Sequence, residues 1–213
     1  MTRILHIDTS PLGEASISRK LTADVVERLK ASSPNAIVTH RDLIATPVAH
    51  LSGELLQLLR PTPGTTLPDS ASARADFAQT EELLTEFLAA DVVVIGAPMF
   101  NFSIPSQLKA WIDRVVQAGR TFRYTDKGPV GLTGAKKVII VSSRGGMYAG
   151  TPYETAMDHQ EAYLNTVLHF IGVTDVSYVR AEGVAISPEM RREGLASAER
   201  DIAGLTLAFA KAA

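Results

Sequence analysis

The stretch DVVVIGAPMFNFSIPSQ, residues 91–107, decides the fold of this chain. It begins with four consecutive apolar residues, 92–95, which is typical of a strand buried on both faces of a sheet. The run breaks at Gly-Ala-Pro, and Pro105 suits the first turn of a following helix. Between them lies the loop 99–102, MFNF, with two aromatic rings and an amide. Because ligands of open α/β sheets bind at the carboxyl ends of strands, we predict that a flat aromatic cofactor lies on this loop.

The first strand-to-helix connection carries three serines. Residues 3–8, RILHID, predict the first strand, and apolar residues at helical spacing follow from Ile17. Ser10, Ser16 and Ser18 lie around the turn between these two elements. A helix start offers unpaired N–H groups and the positive end of the helix dipole, and the hydroxyls add further donors. This layout predicts a phosphate site. The simpler alternative is that Ser16 or Ser18 only caps the helix.

Strands and helices alternate along the rest of the chain. The further predicted elements are a strand at 36–40, helices at 51–59 and 69–90, a helix from Pro105 to Gly119, a hairpin at 121–133, a strand at 136–143, a helix at 155–171, a strand at 173–181 and a closing helix at 188–213. This alternation predicts one α/β domain over residues 1–213, with helices on both faces of a parallel sheet. The aromatic hairpin is a candidate lid, although aromatic residues in hairpins more often simply pack.

A second polar loop, SRGG at residues 143–146, follows the strand 136–143. Its paired glycines let the backbone approach a ligand closely, and their N–H groups can donate to ring carbonyls. A tight turn is the simpler alternative. Three loops therefore converge on one edge of the predicted sheet. We call residues 9–18 the serine loop, residues 99–103 the aromatic loop and residues 143–146 the glycine loop.

Composition narrows the classes of function. The chain has 213 residues, a formal net charge of -2 and no cysteine. Thiolate metal sites, disulfides and thiol catalysis are thereby excluded, and no basic surface argues for nucleic acid or anionic lipid. No apolar run approaches the ~18 residues that span a bilayer, and Met1 leads into a strand without a signal-peptide pattern, so we expect a cytoplasmic protein. The five histidines show no metal-ligand spacing, and we expect no metal site.

Five segments spread over nearly the whole chain carry a family resemblance. They are SPLGEASIS, APMFNFSIPSQLKAWID, GRTFRY, SSRGG and LHFIGVTDV. In these segments the chain resembles the FMN-dependent NADH-azoreductases, which are bacterial flavodoxin-like quinone and azo-dye reductases related to the mammalian NAD(P)H:quinone oxidoreductases. The resemblance implies a flavodoxin-like fold, a three-layer structure with a five-stranded parallel sheet in the order 2-1-3-4-5. Two departures, Phe100 where Tyr is also familiar and Met147-Tyr148 after the glycine loop, bear on substrate preference.

The resemblance also implies which residues form the site. One FMN per subunit would contact Ser10, Ser16, Ile17 and Ser18 with its phosphate and ribityl chain, Met99, Phe100, Asn101 and Phe102 with its ring, and Ser143, Arg144, Gly145 and Gly146 with its ring edge. A homodimer with two sites at the subunit interface is implied, and Phe122, Tyr124, Tyr148 and Phe170 are the candidates for the substrate pocket. No protein residue is implied as nucleophile or obligate base.

The implied activity is ping-pong hydride transfer through the flavin. NADH or NADPH would be the donor, and quinones, azo compounds and nitroaromatics would be acceptors. Arg120, Arg123, Lys127 and Arg144 are candidates to meet the 2′-phosphate of NADPH. Two alternatives stay open, an electron-transfer flavodoxin and an FMN-binding protein that acts through interactions. Tyrosine phosphatases of the same topology are excluded because they need a loop cysteine.

Overall fold

The structure, a computed structural model, describes residues 1–205. In chain order its elements are β1 (Arg3–Asp8), α1 (Ile17–Ser32), β2 (Ile37–Asp42), α2 (Gly53–Leu59), α3 (Ala71–Ala89), β3 (Val92–Pro98), α4 (Ser106–Val115), β4 (Phe122–Thr125), β5 (Gly128–Gly131), β6 (Lys137–Ser143), α5 (Tyr153–Met157), α6 (His159–Phe170), β7 (Asp175–Ala181) and α7 (Pro188–Gly204). Five strands pair in parallel in the order β2-β1-β3-β6-β7. Counted within the sheet this order is 2-1-3-4-5, which confirms the predicted fold.

The central strand β3 is buried along its whole length, as its unbroken apolar run predicts. Val93 and Ile95 belong to a core that includes residues of α3, α4 and α6. Val92 and Val94 belong to a second core, formed with α1 and α7. Because successive side chains of a strand point to opposite faces, one apolar run supplies both cores. The two faces of the sheet are thus covered, and the ends of the strands are the positions left for a ligand.

Two predicted helix boundaries are wrong. The predicted helix 155–171 is two helices, α5 and α6, which meet at Asp158. The Asp158 carboxylate accepts hydrogen bonds from the N–H groups of Gln160 and Glu161, both at 3.0 Å, and so starts a new helix. Helix α4 ends at Val115 rather than at Gly119. The closing helix α7 ends at Gly204, and the predicted continuation over 206–213 lies outside the described residues.

The hairpin β4–β5 lies against the C-terminal end of α6. A Cβ atom on Gly131 would stand 2.1 Å from the backbone nitrogen of Gly172, so the two backbones touch. The N–H of Thr133 also donates to the carbonyl of Ile171 at 3.0 Å. Helix α6 starts beside the carboxyl end of β3, where Gln160 donates to the Ala97 carbonyl at 2.7 Å. Since twelve residues of helix span about 18 Å, this hairpin lies far from the ligand edge of its own chain and cannot act there as a lid.

The carboxyl ends of β1, β3 and β6 form one edge, and the serine, aromatic and glycine loops follow from them. This is the edge at which ligands of such sheets bind. Within residues 1–205, none of the helices combines the length and the apolar character that crossing a bilayer requires.

Candidate functional site

The serine loop places two hydroxyls at the N-terminus of α1. Ser16 is the N-cap, because its Oγ accepts a hydrogen bond from the Arg19 N–H at 3.2 Å, and the capping alternative is confirmed for this residue. Ser18 Oγ lies 3.1 Å from Ser16 Oγ. Ser10 is buried with them at the start of the loop. The first N–H groups of α1 have no acceptor within the helix and point toward the same region. Hydroxyl donors, free N–H groups and the helix dipole together fit a phosphate group.

Arg19 ties the serine loop to the sheet beneath it. Its Nε donates to the Ser10 carbonyl at 3.0 Å, and its two terminal nitrogens donate to the Asp42 carboxylate at 2.8 and 2.7 Å. This bidentate pair lowers the pKa of Asp42 to about 2. Arg19 Nη1 also lies 3.6 Å from Oδ2 of Asp8. Burial alone would raise the pKa of Asp8, but the imidazoles of His6 and His40 and the hydroxyl of Thr22, all beside its carboxylate, hold it below its usual value.

The aromatic loop is a strained two-residue turn. Phe100 and Ser103 exchange both backbone hydrogen bonds, each 3.0 Å long, so Asn101 and Phe102 are its central residues. Both central residues have positive φ, 48° and 68°, which is the signature of a type I′ turn. Asn tolerates this conformation, whereas Phe does not favour it. The turn leaves the residues Phe100 and Phe102 38% and 42% exposed, although phenylalanine is usually buried. Strain combined with exposed aromatic surface is characteristic of a binding site.

The glycine loop adjoins the aromatic loop. The Met99 N–H donates to the Ser143 carbonyl at 2.9 Å, which joins the two loops directly. On its other side, the carbonyls of Gly145 and Gly146 accept hydrogen bonds from the N–H groups of Ala185 at 3.1 Å and Gly183 at 2.8 Å. Because these bonds use only the carbonyls of Gly145 and Gly146, the N–H groups of the two glycines remain available to a ligand. The loop is thus held from behind by the segment that follows β7.

The side chain of Arg144 lies inside the protein, so the contact predicted with the flavin edge could come only from its backbone. It is 1% exposed. Its guanidinium contacts Asp158 at 2.9 Å, Glu182 at 3.0 Å and Glu161, while Nε donates to Ser142 Oγ at 2.8 Å. Three carboxylates, from the start of α6 and the segment after β7, already pair with this cation. Arg144 therefore anchors the glycine loop to α6 and to the segment after β7.

Three of the four predicted pocket aromatics are remote from these loops. Phe170 ends α6, and its ring centroid lies 4.5 Å from that of Phe122 on β4. Phe122 also contacts Tyr124, with centroids 5.4 Å apart, and Tyr124 is 73% exposed. This aromatic group lies one helix length away from the aromatic loop of the same chain. Tyr148 alone lies beside the ligand edge, where its ring covers the guanidinium of Arg144 at 5.8 Å.

A cleft of about 330 Å³ opens beside the aromatic loop. Its walls come from the aromatic loop, the first turns of α4, the middle of α6 and the connection before α2. The lining residues are His50, Ser103, Ile104, Ser106, Lys109 and Tyr163. Sequence reasoning found none of these as site residues, because they come together from three separated segments, around residues 50, 103–109 and 163.

Comparison with known proteins agrees with this geometry. Residues 2–205 match the family model described as a flavodoxin-like fold. The chain is 55% identical over 210 residues to the FMN-dependent NADH:quinone oxidoreductase of Azospirillum brasilense, covering 98% of this chain and 99% of that protein. It is similar to the crystal structure of an azoreductase from Bacillus anthracis, with 30% identity, a TM-score of 0.85 and coverage of 95% and 98%. An FMN-dependent NADH-azoreductase from the same species, solved in complex with FMN, gives 27% identity, a TM-score of 0.84 and the same coverage. The chain belongs to the flavodoxin-like FMN-dependent NADH:quinone oxidoreductases.

All three loops lie within the part of the chain that matches this oxidoreductase family. Sequence reasoning located the loops but missed two acidic residues behind them. Glu182 accepts hydrogen bonds from the N–H groups of Tyr148 and Ala149, at 3.1 and 3.2 Å, in addition to pairing with Arg144. Asp158 pairs with the same arginine while capping α6. A carboxylate directly after a predicted strand was the available signal for Glu182.

Phe102→Gly is expected to leave the free energy of unfolding unchanged or to raise it by up to about 1.5 kcal/mol. An L-residue in the left-handed region costs roughly 1–2 kcal/mol, whereas glycine's own entropic cost is about 0.5–1 kcal/mol. Chemical denaturation measures the change. The matched control is Phe100→Gly, an aromatic of similar exposure with no positive φ, which should lower stability by about 1 kcal/mol. Equal losses in the two variants would mean that the turn is not strained.

Proposed function

We propose that this chain is an FMN-dependent NADH:quinone oxidoreductase that also reduces azo compounds. The observation that carries the proposal is the arrangement of three loops at one edge of the sheet. The strained and exposed aromatic loop lies between the serine loop, with its hydroxyls at the start of α1, and the glycine loop. The 55% identity to the Azospirillum oxidoreductase over the full length supports it. We further propose that residues 1–213 act as one domain and work in the cytoplasm, where the donor NADH is available.

In this proposal each of the three loops binds one part of FMN. Ser10, Ser16, Ile17 and Ser18 would hold the phosphate and the ribityl chain. Met99, Phe100, Asn101 and Phe102 would lie along the ring. Ser143, Gly145 and Gly146 would contact its edge, whereas the Arg144 side chain is engaged elsewhere. The donor set fits the group, because the serine loop offers hydroxyls and N–H groups to an anion and the aromatic loop offers exposed rings to a flat heterocycle.

When bound, FMN would supply two-electron redox chemistry between NADH and the acceptor. The protein's part is binding and electrostatics. Backbone N–H groups of Asn101, Gly145 and Gly146 would donate to a ring that gains negative charge, and a preorganised donor is the most effective way to stabilise such charge. The rings of Phe100 and Phe102 keep the surrounding surface apolar and exclude water. No side chain is required as nucleophile or general base.

NADH rather than NADPH is the proposed donor. Of the four basic residues considered for a 2′-phosphate, Arg144 is buried in its carboxylate cluster and Arg120 pairs with Glu81 at 3.1 Å. Arg123 and Lys127 lie on the hairpin, at the far end of α6 from the loops. Within residues 1–205, Arg144 and Arg120 are thus engaged with carboxylates, and Arg123 and Lys127 could meet a 2′-phosphate only across the proposed subunit interface. The NADH named for the Azospirillum relative is what supports this donor.

A homodimer with shared sites completes the proposal. Phe122, Tyr124 and Phe170 lie one helix length from the flavin loops of their own chain, so they can wall a substrate pocket only across a subunit interface. The 73% exposure of Tyr124 supports this, because an exposed aromatic on a fixed hairpin is typical of an interface anchor. Full activity after dilution to monomers would contradict the shared site. An electron-transfer carrier would have no use for such a pocket.

Phe170→Ala is expected to raise KM for an aromatic quinone by about three- to tenfold while FMN affinity is unchanged. The basis is that an aromatic pair contributes about 0.5–1.5 kcal/mol beyond its buried area. Steady-state rates with menadione measure the effect. Phe77→Ala, an equally aromatic change on α3 away from the hairpin, is the control and should leave KM unaltered. An unchanged KM for Phe170→Ala in an intact dimer would remove this residue from the pocket.

The test of the function uses the purified full chain. It should be yellow, and anaerobic NADH should bleach the flavin absorbance with no acceptor present. Benzoquinone added next should restore the yellow colour and be reduced in equimolar amount. An azo dye should also restore the colour, but its cleavage to two aromatic amines takes four electrons, so half as much dye should be consumed. Bound flavin that NADH leaves oxidised would contradict the enzyme and favour an electron carrier or an FMN-binding interaction protein.

A further inference from the structure

A cluster of two histidines and an aspartate lies on the α1 face of the sheet, beneath the serine loop. His6 and Asp8 are two residues apart on β1, so their side chains share a face. His40 is the register partner of His6 on the neighbouring parallel strand β2. The two imidazole rings face each other with centroids 4.5 Å apart. We expected no metal site because the histidines show no metal-ligand spacing along the chain. Such spacing cannot reveal ligands that two neighbouring strands bring together.

We propose that His6, Asp8 and His40 form a binding site for a divalent transition metal such as Zn²⁺. One ligand atom from each residue lies within 4.8 Å of the others. His6 Nε2 is 3.5 Å from Asp8 Oδ1, and His40 Nε2 is 3.0 Å from Asp8 Oδ2. Ligands at the usual zinc distances in a tetrahedral shell stand about 3.3 Å apart, so these separations need only small adjustments. Two imidazoles and one carboxylate are ligands that zinc accepts.

The orphaned nitrogen of His6 is the second observation that points to an ion. His6 is 8% exposed, and its Nε2 is buried without a hydrogen-bond partner among the described residues. A buried polar atom left unpaired costs about 1–3 kcal/mol, so such atoms are usually satisfied by something. A metal ion on this nitrogen would remove that cost. The His40 side chain is 50% exposed, which gives an ion a path from solvent and leaves room for a water as fourth ligand.

The charges around the cluster tolerate a cation. Asp8 faces Arg19 at 3.6 Å, but that arginine is held by a bidentate pair with Asp42 at 2.8 and 2.7 Å. If both imidazoles are neutral, the carboxylates of Asp8 and Asp42 and the guanidinium of Arg19 sum to a net charge of -1, which favours a bound cation. Thr22 Oγ1 donates to Asp8 Oδ1 at 2.9 Å and orients the carboxylate from the second shell. Because Asp8 directly precedes the serine loop, a metal here would fix the base of that loop.

The experiment is zinc titration of the purified full-length protein, freed of metal with EDTA and then dialysed. Calorimetry should give one saturable equivalent of Zn²⁺, and zinc should raise the melting temperature. His40→Gln should weaken zinc binding by at least about 100-fold, since losing even an outer-shell partner costs about 10–100-fold. His40 is half exposed, so this variant should fold. His50→Gln, an exposed histidine outside the cluster, is the matched control and should bind zinc like the parent.

Two results would overturn the site. One is zinc binding of equal affinity in His40→Gln and the parent, which would mean that the ion binds elsewhere on the surface. The other is no saturable binding in the parent, which would mean that His40 and Asp8 form only an ion pair. X-ray absorption at the zinc edge gives an independent readout. Nitrogen and oxygen neighbours at about 2.0–2.2 Å with imidazole scattering are expected, and their absence would also reject the site. None of these outcomes depends on the activity of the flavin.

Discussion

Arg144→Gln is expected to lower the free energy of unfolding by about 3–5 kcal/mol, the largest effect of any single change considered for this chain. The guanidinium is fully buried and contacts Asp158, Glu182 and Glu161. Glutamine has the reach for one of these contacts and carries no charge. The three carboxylates, which are 5–12% exposed, would then face one another, and Arg180 on Glu161 would be the one cation still paired with them among residues 1–205. Removing one partner of a buried ion cluster leaves uncompensated charge, which costs far more than the lost attraction.

Chemical denaturation at neutral pH measures this loss, and Arg120→Gln is its matched control. Arg120 pairs with Glu81 at 3.1 Å, but the two side chains are 41% and 36% exposed. An exposed pair contributes only about 0–1 kcal/mol, because water and salt screen it. Losses of similar size in the two variants would mean that the Arg144 cluster is solvated in solution. Arg144→Lys separates charge from shape, since lysine keeps the charge but cannot reach three carboxylates as a planar fork.

Ser18→Ala is expected to raise the dissociation constant for FMN by about 10- to 100-fold. In the proposed site its hydroxyl donates to the flavin phosphate, and a hydrogen bond to a charged group contributes about 1.5–3 kcal/mol. Ser18 is a cleaner test than Ser16, because Ser16 also caps α1 and its replacement destabilises the helix by about 1 kcal/mol. The effect is measured by titrating the apoprotein with FMN and following the quenching of flavin fluorescence.

Ser70→Ala controls for the capping contribution. Ser70 caps α3 through a 3.0 Å hydrogen bond from the Ala73 N–H, the same contact that Ser16 makes on α1. Ser16→Ala and Ser70→Ala should lose similar stability, and only the former should lose FMN affinity. If Ser18→Ala and Ser16→Ala both bound FMN as tightly as the parent, the phosphate would have to bind at another loop.

The sequence predicted the sheet well because its strands are short apolar runs with polar breaks. The predicted strand 3–8 has the observed bounds, and the others are correct to within two or three residues. Helix boundaries were harder where a polar side chain intervened. Asp158 interrupts an apolar pattern that continues on both sides of it, because its carboxylate accepts hydrogen bonds from the N–H groups of Gln160 and Glu161. Periodicity carries no information about such a competing hydrogen bond.

The sequence by itself determined the α/β class, the ligand edge and the three loops that meet there, and its family resemblance implied the flavodoxin-like strand order. The class, the edge and the loops follow from local patterns, namely apolar runs, turn residues and the fixed geometry of parallel strands. Only the tertiary structure decided that Arg144 is an internal cation, that Phe170 lies one helix length from the flavin loops of its own chain, and that His6 and His40 face each other across two strands. Each of these facts depends on contacts between residues far apart in the chain. Strand register and helix direction create such contacts, and no local pattern encodes them.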